Sequence, residues 1–168
     1  MATRGLLLRY HLLHPRRCLK LTSSSSSSSA SSVPLPPPLE ARDEHLLTGL
    51  ADKLQVFNSE RHIFLCADQS KPKCCSLEVG LESWEYLKKR CRELNLVGKK
   101  ADRVILRTKT NCLQLCRNGP IALVYPEGTW YHSATPPVIE RILVEHCLNG
   151  KVVEEFAIKE PNENLEGL

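Results

Sequence analysis

An α/β fold, with one sheet flanked by helices behind a disordered N-terminal extension, is predicted from three features of the sequence. The apolar runs after residue 60 are strand-sized, two stretches place apolar residues at three- and four-residue steps, and residues 1–38 are dominated by leucine, arginine, serine and proline. At 168 residues, 42% hydrophobic and 25% charged, the chain can bury one ordinary core, which argues against a two-domain enzyme. The longest apolar runs, such as Ile121 to Tyr125, fall far short of the roughly 20 residues of a membrane helix. Neither a membrane span nor a nucleic-acid partner is expected.

The first element is a targeting segment. Residues 1–20 carry Arg4, Arg9, Arg16, Arg17 and Lys20, and no acid appears before Glu40. Leu6 to Leu8, Leu12 and Leu13 can line one helical face against those cations, the form of a mitochondrial presequence, whereas the serine run from Ser23 to Ser29 points to a plastid. An organelle is therefore expected, the mitochondrion ahead of the plastid. Pro34 and Pro36 to Pro38 complete a transit peptide and Ser/Pro-rich linker over 1–38, too polar and proline-rich to fold. Residues 39–60 read as a connecting segment with a short, weakly amphipathic helix.

The folded domain is placed at 61–160, with 161–168 as a tail. His62 to Leu65 reads as a short buried strand running into Cys66. After a loop to Ser76, the apolar positions Leu81, Trp84, Leu87, Cys91 and Leu94 predict an amphipathic helix that Gly98 ends. Arg103 to Arg107 reads as a second strand, and Ile121–Tyr125 with Thr129–Tyr131 as a hairpin closed by Pro126-Glu127-Gly128. A last helix follows, with Thr135 as its cap, Pro136 in its first turn, Val138, Ile142 and Leu143 as its apolar stripe and Asn149-Gly150 as its stop. The first strand-helix-strand unit should form a right-handed parallel crossover.

Eight cysteines require a chemical account. Cys66 ends the first strand, Cys74 and Cys75 lie in the loop after it, and Cys112 and Cys116 flank three residues in a loop between strands. Two cysteine-bearing loops at one edge of one sheet can converge four thiolates, as a 2Fe-2S centre needs: two for each iron. A zinc site is the first rival, but zinc pairs usually have about two to four intervening residues, whereas Cys66 and Cys75 have eight. A disulfide set suits an organelle interior poorly. Cys91 and Cys147 fall on apolar helix stripes and read as buried, unliganded thiols. No Cys-x-x-Cys stands at a helix start for dithiol exchange, and no Cys-His motif suggests a Rieske centre. Lys71, Lys73, Arg107, Lys109 and Arg117 lie near these cysteines in sequence, where positive charge would favour reduction.

With these residues in view, Arg61 to about Ile158 resembles the thioredoxin-like 2Fe-2S ferredoxin family. The resemblance rests on His-Ile-Phe-x-Cys at 62–66, Cys-x-x-x-Cys at 112–116 and Gly-Pro-x-x-x-Val-Tyr-Pro-x-Gly-x-Trp-Tyr at 119–131. It implies a thioredoxin-like sheet, one 2Fe-2S cluster near the surface, low-potential one-electron transfer and frequently a homodimer. The loop after Cys66 is shorter than in bacterial members and ends in two adjacent cysteines. Counting nine residues back from Trp84, in the family's register, selects Cys75. The expected ligands are thus Cys66, Cys75, Cys112 and Cys116, with Cys74 as the alternative to Cys75. Trp130 and Tyr131 are expected to pack within the hairpin.

The expected function is one-electron transfer without a catalytic acid or base. A cluster carrier or sensor, with Cys74 as an exchange ligand, is the alternative; an accessory subunit of a larger redox complex, suggested by similarity to a respiratory complex I subunit, is the third reading. Residues 61–117 hold thirteen basic and six acidic residues, against three and eight over 118–168, so acidic redox partners are expected.

Overall fold

A computed structural model describes residues 36–160; the expected transit segment and the tail at 161–168 lie outside the described residues except for 36–38. The described elements are α1 (Ala41–Lys53), β1 (Ser59–Cys66), α2 (Leu77–Glu93), β2 (Val104–Thr110), β3 (Ala122–Tyr125), β4 (Thr129–Tyr131) and α3 (Pro136–Arg141), the last continuing as a π-helical stretch, Ile142–Leu148. The sheet order is β2-β1-β3-β4. β1 and β2 are parallel, joined through α2, while β3 pairs antiparallel with both β1 and β4.

The alternation of the strands fixes which face is buried. Ile63, Leu65, Ala122, Val124 and Tyr131 join Leu87 and Cys91 of α2, and Val138, Ile139, Ile142, Leu143 and Cys147, in one core. His62, Phe64 and Trp130 are only half-buried. Tyr131 thus packs as expected of the hairpin, and Cys91 and Cys147 are buried thiols. Burial pushes them up to about 11 and about 12, which keeps both protonated and unreactive at neutral pH. No residue of α1 is buried.

Several boundaries depart from the sequence expectation. Helix α2 begins four residues before Leu81, because the Ser76 hydroxyl accepts the Val79 N–H and supplies a cap. It ends at Glu93 rather than Gly98. Asn95 takes the left-handed conformation at φ 53°, and the Leu96 and Asn95 N–H groups bond back to Cys91 and Arg92 carbonyls, the paired pattern of a Schellman stop. Thr135 stands before α3, but its hydroxyl donates to the Ser133 carbonyl and caps nothing.

Two contacts bring the cysteine loops together. Gly80 lets α2 sit against the chain leaving β1: a Cβ there would come within 3.1 Å of the Ala67 backbone. The parallel register pairs Cys66 with Thr110, so the ends of β1 and β2 release their loops side by side.

Candidate metal centre

Cys66 is fixed as the last residue of β1, 2% exposed, with its N–H bonded to the Ile121 carbonyl at 2.9 Å. Its thiol lies 3.6 Å from the Asn111 carbonyl oxygen, to which it donates. Cys74 and Cys75 are half-buried, while Cys112 and Cys116 are exposed at the mouth of the second loop. That second loop is tied to the first by the Gly119 N–H, which donates to the Cys74 carbonyl at 3.0 Å. A Cβ on Gly119 would stand 2.8 Å from Cys74 Sγ, so the two loops meet only because residue 119 is glycine.

The thiols gather as two pairs. Cys66 Sγ is 3.8 Å from Cys74 Sγ, and Cys112 Sγ is 3.9 Å from Cys116 Sγ. Metal–sulfur bonds of about 2.3 Å give a tetrahedron with edges of about 3.8 Å, so each pair has the spacing of two thiolates on one metal ion. Among the described residues, no group of three or more His, Cys, Asp or Glu is gathered tightly enough for a single ion. Two pairs, one ion each, suit a binuclear iron centre better than one zinc.

The pairs also act on one another electrostatically. Burial pushes the Cys66 thiol up to about 11, with the charges of Cys74 and Cys112 adding to the rise. The Cys116 thiol is raised chiefly by its hydrogen bond with Cys112, and also by the charge of Cys74, while Lys73 pulls the other way. Cys75 is raised by burial, and the only cysteine whose charge acts on it is Cys74. Metal binding at these thiols must expel their protons.

Sequence reasoning missed Gln69. This side chain, 6% exposed, aims its Nε2 at Cys74 Sγ (3.1 Å), Cys75 Sγ (3.3 Å) and Cys66 Sγ (3.7 Å). Its Oε1 is buried without a partner. Such an orphan acceptor costs about 1–3 kcal/mol, and an orientation that accepts this cost is favoured when the sulfurs are acceptor-only thiolates. Its position between Cys66 and Cys74 was the only sequence signal. Of the cations expected here, Lys71, Lys73 and Arg117 are exposed, and Lys109 is paired with Asp68 at 2.9 Å. Arg107 is half-buried, with its Nε lacking a hydrogen-bond partner, and its charge acts on the buried Cys91.

The chain is 30% identical over 108 residues to a 2Fe-2S ferredoxin of Clostridium pasteurianum, across 61% of this chain and 100% of that protein. It is 24% identical over 102 residues to a 2Fe-2S ferredoxin of Aquifex aeolicus, across 58% of this chain and 88% of that one. Among solved structures, the thioredoxin-like [2Fe-2S] ferredoxin from Aquifex aeolicus shares the fold with a TM-score of 0.51 at 23% identity, over 62% of this chain and 94% of that chain. No protein-family model matches. From a β1-α2-β2 crossover and hairpin that carry paired cysteines on adjoining loops, and from full-length similarity to a 2Fe-2S ferredoxin, it follows that the chain belongs to the thioredoxin-like 2Fe-2S ferredoxin family.

Proposed function

We propose that the protein is a one-electron carrier holding a single 2Fe-2S cluster through four cysteines. The observation that carries this reading is the pairing of thiols at 3.8 Å and 3.9 Å on adjoining loops. Cys112 and Cys116 would hold one iron, and Cys66 with one of the adjacent cysteines the other. The register count favours Cys75; the thiol spacing, the Gly119 contact and the shared electrostatics with Cys112 and Cys116 favour Cys74, which we take as the ligand. When bound, the cluster supplies a reversible one-electron couple. The residues of the chain hold it, shield Cys66 and leave Cys112 and Cys116 at the surface, where an electron can cross to a docked partner. Such transfer needs no catalytic acid or base.

Anaerobic reconstitution with iron and sulfide tests the reading. About two irons and two sulfides per chain are expected, with a visible spectrum that bleaches reversibly and an EPR signal on reduction. Uptake of one zinc in place of iron and sulfide, or no uptake, would defeat it. A carrier role is the second reading, favoured by Cys75 as a fifth thiol sharing the Gln69 donor with Cys74. Transfer to an apo-protein with loss of colour would select it.

The proposal extends to partners and place. Exposed Lys71, Lys73 and Arg117 beside the thiols favour acidic redox partners, and a groove of about 530 Å³ lined by Leu115, Cys116, Arg117 and Ile158 offers them an apolar floor. The half-exposed sheet face of Phe64 and Trp130 is available to a homodimer, which sedimentation would reveal. The acid-free N-terminal segment supports an organellar location, the mitochondrion ahead of the plastid.

A further inference from the structure

We propose that Gln69 sets the reduction potential of the centre by donating its side-chain N–H groups to the thiolates of the inner cysteine pair. This rests on the cluster reading above and assigns a residue to it that is not a ligand.

Three observations converge. The amide lies within 3.1–3.7 Å of the sulfurs of Cys74, Cys75 and Cys66, so its two N–H groups always have sulfur to serve. The side chain is 6% exposed, in a setting where water does not weaken a hydrogen bond. Its carbonyl oxygen, Oε1, is buried with no partner, so nothing on the far side competes to turn the amide over. A residue that merely braced the loop would be expected to use both ends of its amide; this one spends its donor end on sulfur and leaves the other idle.

The physical consequence has a definite sign. Reduction by an external one-electron donor adds one negative charge to the site and breaks no bond. A hydrogen bond to a thiolate strengthens as the sulfur becomes more negative, so the Gln69 donor stabilises the reduced form more than the oxidised one. The potential is thereby raised. No other buried side-chain N–H donor to these sulfurs is present among the described residues; the remaining donors are backbone, the Leu113 N–H acting on Cys66 and the Gln114 N–H on the Cys112 sulfur at 3.2 Å.

The test is a spectroelectrochemical titration of the reconstituted full chain and two variants, with dithionite as the reductant. Gln69→Met keeps length and removes the donor; Gln69→Glu keeps shape and turns the donor into an acceptor. Both should load with two irons and shift to a more negative potential, by up to about tenfold in the one-electron equilibrium constant, or 59 mV. If Gln69→Met loads poorly, Gln69→Glu decides by the same shift. A wild-type potential in the loaded variants, or failure of both to load while circular dichroism shows them folded, would leave Gln69 as a brace and overturn the proposal. Wild-type chain that takes up no cluster would instead defeat the cluster reading itself, and so the two failures are distinct.

Discussion

At the scale of single residues, the site turns on which of two neighbouring thiols faces the metal. Adjacent residues project differently, and the backbone bond from Gly119 to the Cys74 carbonyl holds that residue against the second loop. Cys74→Ser should therefore abolish or visibly shift the cluster spectrum, while Cys75→Ser should leave it close to wild type; absorbance and EPR of reconstituted protein decide, and the reverse pattern would restore Cys75. Gly119 offers a second probe. Gly119→Ala adds one methyl 2.8 Å from Cys74 Sγ and 2.9 Å from its Cβ, an overlap that one loop must relieve by moving. The variant should remain folded by circular dichroism, with a stability loss of about 1–3 kcal/mol, and retain well under half of its iron. Cys91→Ser and Cys147→Ser should keep the cluster, since both thiols lie in the core with Leu87 and Leu143.

At the scale of elements, α2 and α3 hold the sheet in place and are themselves coupled. Glu140 accepts two hydrogen bonds from Arg90, at 2.7 and 2.8 Å, and one from the Tyr86 hydroxyl at 2.9 Å. The Arg90 guanidinium holds the Glu140 carboxyl below its ordinary range. Behind them, β4 reaches the π-helical stretch through Tyr131, whose hydroxyl shares a hydrogen bond with His146 Nδ1 at 2.9 Å and accepts the Val153 N–H at 3.3 Å. Burial lowers the His146 pKa. The unfolded chain protonates this residue near 6.5 while the folded chain resists, so its stability contribution is complete above about pH 6.5 and is lost as pH falls toward the lower folded value. Urea unfolding of the metal-free chain should show stability falling with acidity by up to about 1.4 kcal/mol per pH unit for this residue. His146→Leu should flatten the slope without removing it, because burial lowers His62 as well. An unchanged slope would take His146 out of the account.

At the scale of the whole molecule, charge is divided along the chain: thirteen basic against six acidic residues over 61–117, and three against eight over 118–168. The basic part carries the thiols, and Lys71 and Lys73 are exposed in the loop between Cys66 and Cys74. Electron transfer to an acidic partner should consequently slow by about tenfold or more from low to physiological salt, as screening shortens the reach of the attraction. Reversing both lysines to Glu should slow it at low salt and weaken the salt dependence; stopped-flow rates test both. The mature protein should lack at least its first twenty residues, and mass spectrometry showing an intact Met1 or Ala2 terminus in the bulk of native material would refute the targeting proposal.

The order of strands and helices, the hairpin at 121–131 and the set of cysteines were legible in the sequence, because apolar periodicity and turn chemistry are local signals. The stop of α2 was not, since Gly98 is the stronger punctuation in sequence and Asn95 prevailed, its N–H bonding back to Arg92 and that of Leu96 to Cys91. Three features of the site were decided only by tertiary structure: Cys66 meets Cys74, Gln69 turns inward beneath both, and Gly119 admits the Cys74 sulfur. All three depend on the parallel register of β1 and β2 and on the return of the chain after Cys116, which join residues some 45 positions apart. Sequence states which thiols are available; only the long-range pairing of backbone determines which sulfurs come within 4 Å of one another, and which donor stands among them.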